Sequence, residues 1–290
     1  MNERLALGTV QFGLKYGIAN QAGRVGLREA DRILSEALAC GIDTLDTAIA
    51  YGESEQTLGN IGVEKWKVVS KLPALPEGEA SVEEWVLGQV RGSLARLGVE
   101  RLYAVLLHRP DQLFEPQGQK LLAGLELLKS SGLAQKIGVS VYTPQELDRL
   151  YSLGHFDLVQ APLSILDRRL SESGWAKRLK SMGVELHVRS VFLQGLLLMP
   201  ASARPTKFAR WPSIWHEWER WLREQGLPPL DACLRYVLSV PEVDKIVVGV
   251  DHVEQLRQIT AAATGGLSTL PQWPQVVDSD LINPAHWSQL

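Results

Sequence analysis

The sequence predicts an α/β protein, a single-domain (β/α)8 TIM barrel, from three observations. Eight short apolar segments alternate with segments that carry apolar residues at helical spacing. The apolar segments are continuous, which is typical of parallel strands that helices cover. The chain of 290 residues is long enough for one such barrel. An open doubly wound sheet is the alternative fold, but no GxGxxG motif follows the first strand.

The first half of the chain contains four of the predicted strands. We predict these strands over residues 5–12, 44–50, 66–72 and 102–108. The helices between and after them are predicted over residues 28–41, 53–62, 81–98 and 118–132. Gly41 and Gly132 are helix stop signals, because glycine readily adopts the left-handed conformation that ends a helix. Ser81 and Glu84 have the spacing of a capping box.

The second half repeats the pattern and adds two longer segments. Its strands are predicted over residues 136–141, 157–162, 184–191 and 245–250, and its helices over residues 143–154, 168–183, 227–239 and 252–264. Thr143 followed by Pro144 is typical of a helix start. Residues 195–228 form an extended loop after strand seven, and residues 266–290 form an irregular C-terminal tail near the barrel mouth. We predict one domain over residues 1–290.

The extended loop and the tail are rich in tryptophan. Trp211, Trp215, Trp218 and Leu222 recur at helical spacing, so they are predicted to form one face of a helix. We favour the interpretation that this face packs against the barrel. The alternative is that one or two of these indoles line a substrate pocket or a subunit contact. Trp273 and Trp287 in the tail leave the same two interpretations open.

Composition excludes several classes of function. The formal net charge of −3 gives no electrostatic reason to expect a nucleic-acid partner. No apolar run is long enough for a membrane span, and the N-terminus lacks the apolar core of a secretory signal. Cys40 and Cys233 lie in apolar helical patterns, as expected of reduced cysteines in a cytoplasmic protein. The histidines show no metal-ligand spacing, so we predict no metal. We expect a monomer or a small homo-oligomer.

Polar residues at the ends of the early strands suggest a reaction. Asp46 and Tyr51 follow strand two, Lys71 ends strand three and His108 ends strand four. In a barrel, the carboxyl ends of the strands form one active-site face. A tyrosine has an ordinary pKa of about 10, and a nearby Lys71 would lower it. Asp46 would keep Lys71 charged, and His108 would orient a substrate oxygen. Taken singly, each residue has an ordinary structural interpretation.

Three segments carry a resemblance to a known family. GIDTLDTAIAYGESEQTLG, VVSKL and VLLHRPD resemble the aldo-keto reductase superfamily. The resemblance implies a barrel with a catalytic tetrad of Asp46, Tyr51, Lys71 and His108. It further implies hydride transfer between a nicotinamide cofactor and a small-molecule carbonyl substrate, which could be an aldehyde, a ketone or a sugar-derived compound. In reduction, Tyr51 would act as the general acid.

The resemblance also implies residues that bind the nicotinamide end of the cofactor. GVSVYTPQEL is similar to a family segment whose serine and asparagine bind the carboxamide, so Ser140 is implied as a ligand. Val141 stands where asparagine is usual. Gln160 matches a strand-six glutamine with the same role. In RSVFLQGLL, Arg189 occupies the position of a ring that stacks on nicotinamide, and Ser190 follows it.

A later segment, VVGVDHVEQL, resembles the stretch that holds the adenosine phosphate. The matching residues are Gly249, Val250, Asp251 and Gln255, with Gln255 where arginine is frequent. The family as a whole favours NADP(H). The acidic Asp251 makes NAD(H) possible, because a carboxylate would repel a 2′-phosphate. Two alternatives therefore stay open: a non-catalytic barrel that binds nicotinamide nucleotide as a sensor or subunit, and an NAD-dependent alcohol or sugar dehydrogenase.

Overall fold

The computed structural model describes residues 2–20, 22–273 and 277–290. Its strands are Leu5–Gly8 (β1), Thr44–Asp46 (β2), Lys67–Leu72 (β3), Leu102–Leu107 (β4), Ala134–Ser140 (β5), Leu158–Pro162 (β6), Glu185–Arg189 (β7) and Lys245–Gly249 (β8). All eight pair in parallel in chain order, and β8 pairs with β1 to close the barrel. The prediction of a (β/α)8 barrel is therefore confirmed, and its organisation as one domain remains our proposal.

Helices surround the barrel and fill the longer connections. The α-helices are Val10–Gly13 (α1), Leu27–Ala39 (α2), Ser54–Ile61 (α3), Val82–Leu97 (α4), Gly118–Ser130 (α5), Pro144–Leu150 (α6), Arg169–Glu172 (α7), Trp175–Ser181 (α8), Pro212–Gln225 (α9), Pro229–Leu238 (α10), Val253–Ala262 (α11) and Ser279–Ile282 (α12). Short 3-10 helices cover Asn2–Arg4, Pro110–Phe114, Leu196–Leu198, Ala201–Ala203, Thr206–Arg210 and Pro284–Gln289. No helix among the described residues is long and apolar enough to cross a membrane.

The helices form where the sequence gives one apolar face. In α2, the buried residues Ala30, Ile33, Leu34 and Ala37 recur at the spacing of one helical face. Three of the eight strands, β1, β2 and β6, are buried along their whole length, as expected of continuous apolar segments. The main core lies between the barrel and its helices, and a small second cluster inside the barrel contains Val69, Leu106 and Leu158.

Three local predictions were wrong. The first predicted strand extends only to Gly8, and its second half turns into α1. The helix predicted over residues 168–183 is divided into α7 and α8. Ser81 precedes α4 but its side chain makes no capping bond, and its backbone N–H donates to the Glu79 carboxylate in place of the Glu84 carboxylate. The predicted start of α6 is confirmed, with the Glu146 carboxylate accepting from the backbone N–H of Thr143 at 2.9 Å.

Helix α9 is part of the extended loop and connects it to the C-terminal tail. Its indole N–H groups donate as follows: Trp211 to the Asp278 carboxylate, Trp215 to the Phe208 carbonyl, Trp218 to the Leu197 carbonyl and Trp221 to the Thr269 hydroxyl. Trp221 belongs to the buried face, whereas Leu222 is only partly buried. All four partners lie in the extended loop or the tail, so packing of this face against the barrel stays a prediction.

Gly138 in β5 provides a test of the barrel's packing. A Cβ atom there would lie 1.9 Å from the Leu158 carbonyl oxygen in β6 and 2.8 Å from the Leu106 side chain. We expect Gly138→Ala to lower the free energy of unfolding by about 3 kcal/mol, because inserted atoms force backbone shifts in a packed core. Urea denaturation measures this loss.

Gly88→Ala in α4 is the matched control. A Cβ atom at Gly88 would meet no other atom within 4 Å. The same substitution should therefore stabilise the protein by up to about 1 kcal/mol through helix propensity. Equal stability of the two variants would contradict the packing that we describe at Gly138.

Candidate active site

A cavity of about 500 Å³ opens at the carboxyl ends of the strands. Asp46, Tyr51 and His108 from the predicted catalytic set line it. Gln160, Arg189, Ser190, Gly249, Asp251 and Gln255 from the predicted cofactor set line it as well. Lys71 and Ser140 are buried beneath the cavity, and the buried Val250 does not line it. The structure therefore brings both predicted sets to one site, as expected at this face of a barrel.

The ion pair between Asp46 and Lys71 lies at the base of this site. Asp46 is the register partner of Val69 on β3, and Lys71 lies two residues beyond Val69, so both side chains point with Val69 to the inside of the barrel. The Lys71 Nζ donates to Asp46 Oδ1 at 2.8 Å, to Asp46 Oδ2 at 2.7 Å and to the Thr47 carbonyl oxygen at 2.8 Å. Lys71 is 1% exposed and Asp46 is 5% exposed. Removal of either partner would leave a buried charge, which is costly.

Tyr51 lies beside this pair but does not bond to it. The loop after β2 turns at Tyr51, whose backbone N–H donates to the Ala48 carbonyl at 3.0 Å. The Lys71 Nζ lies 5.1 Å from the centre of the Tyr51 ring, and all three of its N–H donors are used elsewhere.

The pKa of Tyr51 differs from our expectation. Burial and the charge of Asp46 raise it above its ordinary value, and only the charge of Arg189 acts to lower it. The expected lowering of this pKa was therefore wrong, because burial and the Asp46 carboxylate outweigh the neighbouring positive charges. Tyr51 consequently stays protonated throughout the neutral pH range.

His108 contacts Tyr51 at the cavity wall. The two rings meet edge to face, with centroids 5.9 Å apart and planes at 79°. Burial, together with the positive charges of Lys71 and Arg189, lowers the pKa of His108 to about 4. The imidazole is therefore neutral at pH 7, and it retains one N–H that can donate to a substrate oxygen.

Gln160 has a contact that the sequence did not reveal. Its Nε2 donates to Asp46 Oδ1 at 2.6 Å, and its Oε1 accepts from the Ser140 hydroxyl at 3.3 Å. Ser140 and Gln160 are register partners on β5 and β6, so they lie in one layer inside the barrel. The sequence did offer one signal for this contact, because every second residue of a strand points into the barrel and Gln160 occupies such a position. The proposed binding of the carboxamide by Ser140 and Gln160 stays a prediction.

Arg189 places a positive charge in the cavity. Its guanidinium lies over the Tyr142 ring at 4.4 Å and donates to the Val141 carbonyl at 3.0 Å. It also reaches the hydroxyl of Ser190, a residue with φ of 61°. Among the described residues that line the cavity, Arg189 is the one lysine or arginine. Tyr142 was not predicted, because its role depends on the position of Arg189.

Asp251 places a carboxylate in the same cavity. The Asn20 amide donates to Asp251 Oδ1 at 2.9 Å, and the backbone N–H of Asp251 donates to Gln255 Oε1 at 2.7 Å. Burial raises the pKa of Asp251. Asn20 belongs to the connection between α1 and α2, which also contributes Tyr16 and Gly17 to the cavity lining. Gln194, in the loop after β7, donates to the Tyr16 hydroxyl of the same segment at 3.2 Å.

The tail and helix α9 do not form this cavity. The cavity lining contains no tail residue and no α9 tryptophan from the part of the chain that the structure describes. Trp273 instead donates to the Ile165 carbonyl at 2.8 Å, beside the loop after β6. Among the residues that the structure describes, no three histidine, cysteine, aspartate or glutamate side chains are grouped so that they could hold a metal ion.

Comparison with known proteins identifies the family to which the chain belongs. Residues 4–270 match the model of the Aldo/keto reductase family, so the chain belongs to this family of barrel oxidoreductases. It is 28% identical over 283 residues to the NADH-specific methylglyoxal reductase of Escherichia coli, with 82% of this chain and 83% of that protein covered. It is 25% identical over 251 residues to the oxidoreductase YqkF of Bacillus subtilis, with 80% and 81% covered.

Solved structures agree on the fold. The aldo-keto reductase of Bacillus halodurans in its holo form superimposes with a TM-score of 0.70 at 23% identity, covering 91% of this chain and 88% of that one. The chain is accordingly an NAD(P)H-dependent oxidoreductase that acts on carbonyl compounds. This confirms the predicted enzyme class, in preference to the non-catalytic alternative.

The stability of the Asp46–Lys71 pair can be tested with Lys71→Met. This variant leaves the Asp46 carboxylate buried without its cation, so we expect the free energy of unfolding to fall by about 3–5 kcal/mol. Thermal and urea unfolding measure the loss. Lys67→Met is the control, because Lys67 is half exposed and its partner Asp43 keeps a second bond to Lys245. That control should change stability by less than about 1 kcal/mol. Equal effects of the two substitutions would contradict the energetic role of the buried pair.

Proposed function

We propose that this chain reduces a small carbonyl compound with NADH, and that Tyr51 is the general acid. The observation that carries the proposal is the contact of Tyr51 with His108 at the cavity wall, directly above the buried Asp46–Lys71 pair. When bound, the nicotinamide supplies a hydride to the carbonyl carbon. The residues present fit such a cofactor, because one cavity of about 500 Å³ is lined both by Tyr51 and His108 and by Asp251 and Gln255.

Tyr51 supplies the proton in this scheme. Its raised pKa keeps the phenol protonated, and the developing alkoxide is a much stronger base than the phenolate that forms. Proton transfer from the Tyr51 hydroxyl to the substrate oxygen is therefore favourable. The neutral His108 donates its N–H to the same oxygen and orients the carbonyl. The Arg189 guanidinium, whose charge acts to lower the pKa of Tyr51, stabilises the phenolate until it regains a proton.

The choice of cofactor rests on charge. The family resemblance favours NADP(H), but the described lining near Asp251 offers a carboxylate and the amide of Gln255 rather than a cation. A 2′-phosphate would be repelled there, whereas a ribose hydroxyl could donate to a carboxylate. The similar Escherichia coli protein is named for NADH specificity, which supports the same choice. We therefore propose NAD(H) as the preferred cofactor.

The name of that protein also supports a small aldehyde or ketone as substrate, and sugar-derived carbonyls fit the same chemistry. A panel of such compounds with NADH would rank them. We further propose a cytoplasmic monomer or small homo-oligomer. Both cysteines are free in the structure, which agrees with a reducing compartment.

Tyr51→Phe tests the acid directly. The substitution removes only the hydroxyl, so we expect kcat to fall by about 10²- to 10⁴-fold while NADH affinity changes little. Steady-state kinetics and fluorescence titration measure the two quantities. Tyr103→Phe is the matched control, because the Tyr103 hydroxyl is bonded to Glu185 at the other end of the barrel and does not line the cavity. Full turnover by Tyr51→Phe would remove Tyr51 as the acid.

The cofactor proposal predicts that NADH binds at least about tenfold more tightly than NADPH, a difference of about 1.4 kcal/mol. Asp251→Ser should narrow this ratio by improving NADPH binding, because the variant lacks the repelling carboxylate. Fluorescence titration of the unsubstituted chain and of Asp251→Ser, each with NADH and with NADPH, measures the ratio of the two affinities. Tighter binding of NADPH to the unsubstituted chain would show that the family preference applies here instead.

A further inference from the structure

Arg189 is a partly buried cation that no carboxylate among the described residues pairs with. It ends β7 and lines the cavity. Its guanidinium donates to the Val141 carbonyl at 3.0 Å and to the Ser190 hydroxyl at 3.4 Å, and neither acceptor is charged. Charged groups that are withdrawn from water are usually paired with an opposite charge. An unpaired guanidinium at a cavity wall therefore indicates an anionic ligand.

The guanidinium keeps donors that can reach such a ligand. An arginine has five N–H groups, and the described residues accept from two of those of Arg189. The Nε atom has no partner among the described residues, yet it is not one of the fully buried polar atoms, so it keeps accessible surface. The Tyr142 ring covers one face of the guanidinium at 4.4 Å. The N–H groups lie in the plane of the guanidinium, in a fork that matches a carboxylate or a phosphate.

Strand order and charge place this guanidinium with the reactive residues. The Arg189 side chain reaches from β7 across the end of β6 to Val141, which follows β5, and the next strand is β4, which leads to His108. The charge of Arg189 acts to lower the pKa of Tyr51 and of His108. The pKa of Asp251 is shifted by burial and by its own neighbours, without a contribution from Arg189. The unpaired charge therefore acts where a substrate carbonyl would react.

The other charges at the cavity are already compensated or bonded. The Asp46 carboxylate is paired with Lys71, and the Asp251 carboxylate accepts from Asn20. We propose that Arg189 binds an anionic group of the substrate, either a carboxylate or a phosphate that the carbonyl compound carries. Stacking on nicotinamide would use the face of the guanidinium opposite Tyr142, so its edge stays free for this contact. The inference rests on the proposed function, because it requires the carbonyl to react in this cavity.

The experiment compares charged carbonyl compounds with uncharged counterparts. The pairs are glyoxylate with methyl glyoxylate, 4-oxobutanoate with methyl 4-oxobutanoate, and glycolaldehyde phosphate with glycolaldehyde. Within a pair, the ratio of the two kcat/KM values measures the discrimination for the charged group. The unsubstituted chain should prefer the charged member of at least one pair by about tenfold or more, because charge-assisted hydrogen bonds are strong. The first two pairs test a carboxylate, and the third tests a phosphate.

Two substitutions at Arg189 show whether the guanidinium causes the preference. Arg189→Met should lower the ratio of the preferred pair by about tenfold or more. Arg189→Lys should retain part of the preference, since lysine keeps the charge without the planar fork. The ratio is independent of the fraction of folded enzyme and of any effect on Tyr51, because both members of a pair share them. Fluorescence titration with NADH and NADPH reports nucleotide affinity in each variant.

Arg178→Met is the matched control. Arg178 also lies over an aromatic ring, that of Trp175 at 4.3 Å, but it does not line the cavity. This control changes the net charge by the same amount, so it should leave the ratio of every pair unchanged.

Three results would overturn the contact alone. The first is a chain that reduces the uncharged members as well as the charged ones in all three pairs. The second is an unchanged ratio in Arg189→Met. The third is an unchanged ratio together with weaker nucleotide binding in that variant, which would place the guanidinium against the diphosphate of the cofactor. An unsubstituted chain that reduces no member of any pair with either nucleotide would overturn the proposed function together with this contact.

Discussion

The buried pair of Asp46 and Lys71 is the interaction on which the rest of the site depends. A carboxylate and an ammonium inside a barrel are tolerated only when each is paired and hydrogen-bonded. Here the Thr47 carbonyl takes the third Lys71 donor, and the Gln160 amide donates to the carboxylate. Side chains from the three strands β2, β3 and β6 are thereby held around one charge pair. The position of Tyr51 above it follows, because its loop leaves the strand that carries Asp46.

This arrangement also decides the protonation states of the site. Lys71 directs its donors to Asp46 and Thr47, so it does not depress the pKa of Tyr51 as a free ammonium would. Burial then dominates both titratable rings, raising the pKa of Tyr51 and lowering that of His108 to about 4. A protonated phenol beside a neutral imidazole is suited to donating a proton to a carbonyl oxygen as it becomes negative. The same two side chains are poorly suited to removing a proton from a substrate unless Tyr51 first loses its own proton.

The cavity lining carries charges of both signs. The charge of Arg189 acts on Tyr51 and His108, and the Asp251 carboxylate accepts from Asn20. The lining also contains Gln11 and Gly249, whose contact is possible because β8 pairs with β1. The closure of the barrel therefore creates this part of the cavity. The tryptophans of α9, in contrast, bind the extended loop and the tail together away from it.

The sequence by itself determined the barrel, the order of its strands and the residues at their carboxyl ends. Periodicity and strand order suffice for this, since parallel strands with helices between them place those ends on one face. Only the tertiary structure decided that Gln160 bonds to Asp46, that Trp221 replaces Leu222 on the buried face, and that Gln11 lies against Gly249. These contacts join residues far apart in the chain, and the direction of each pKa shift follows from burial and distance. Neither burial nor distance is encoded in local residue patterns.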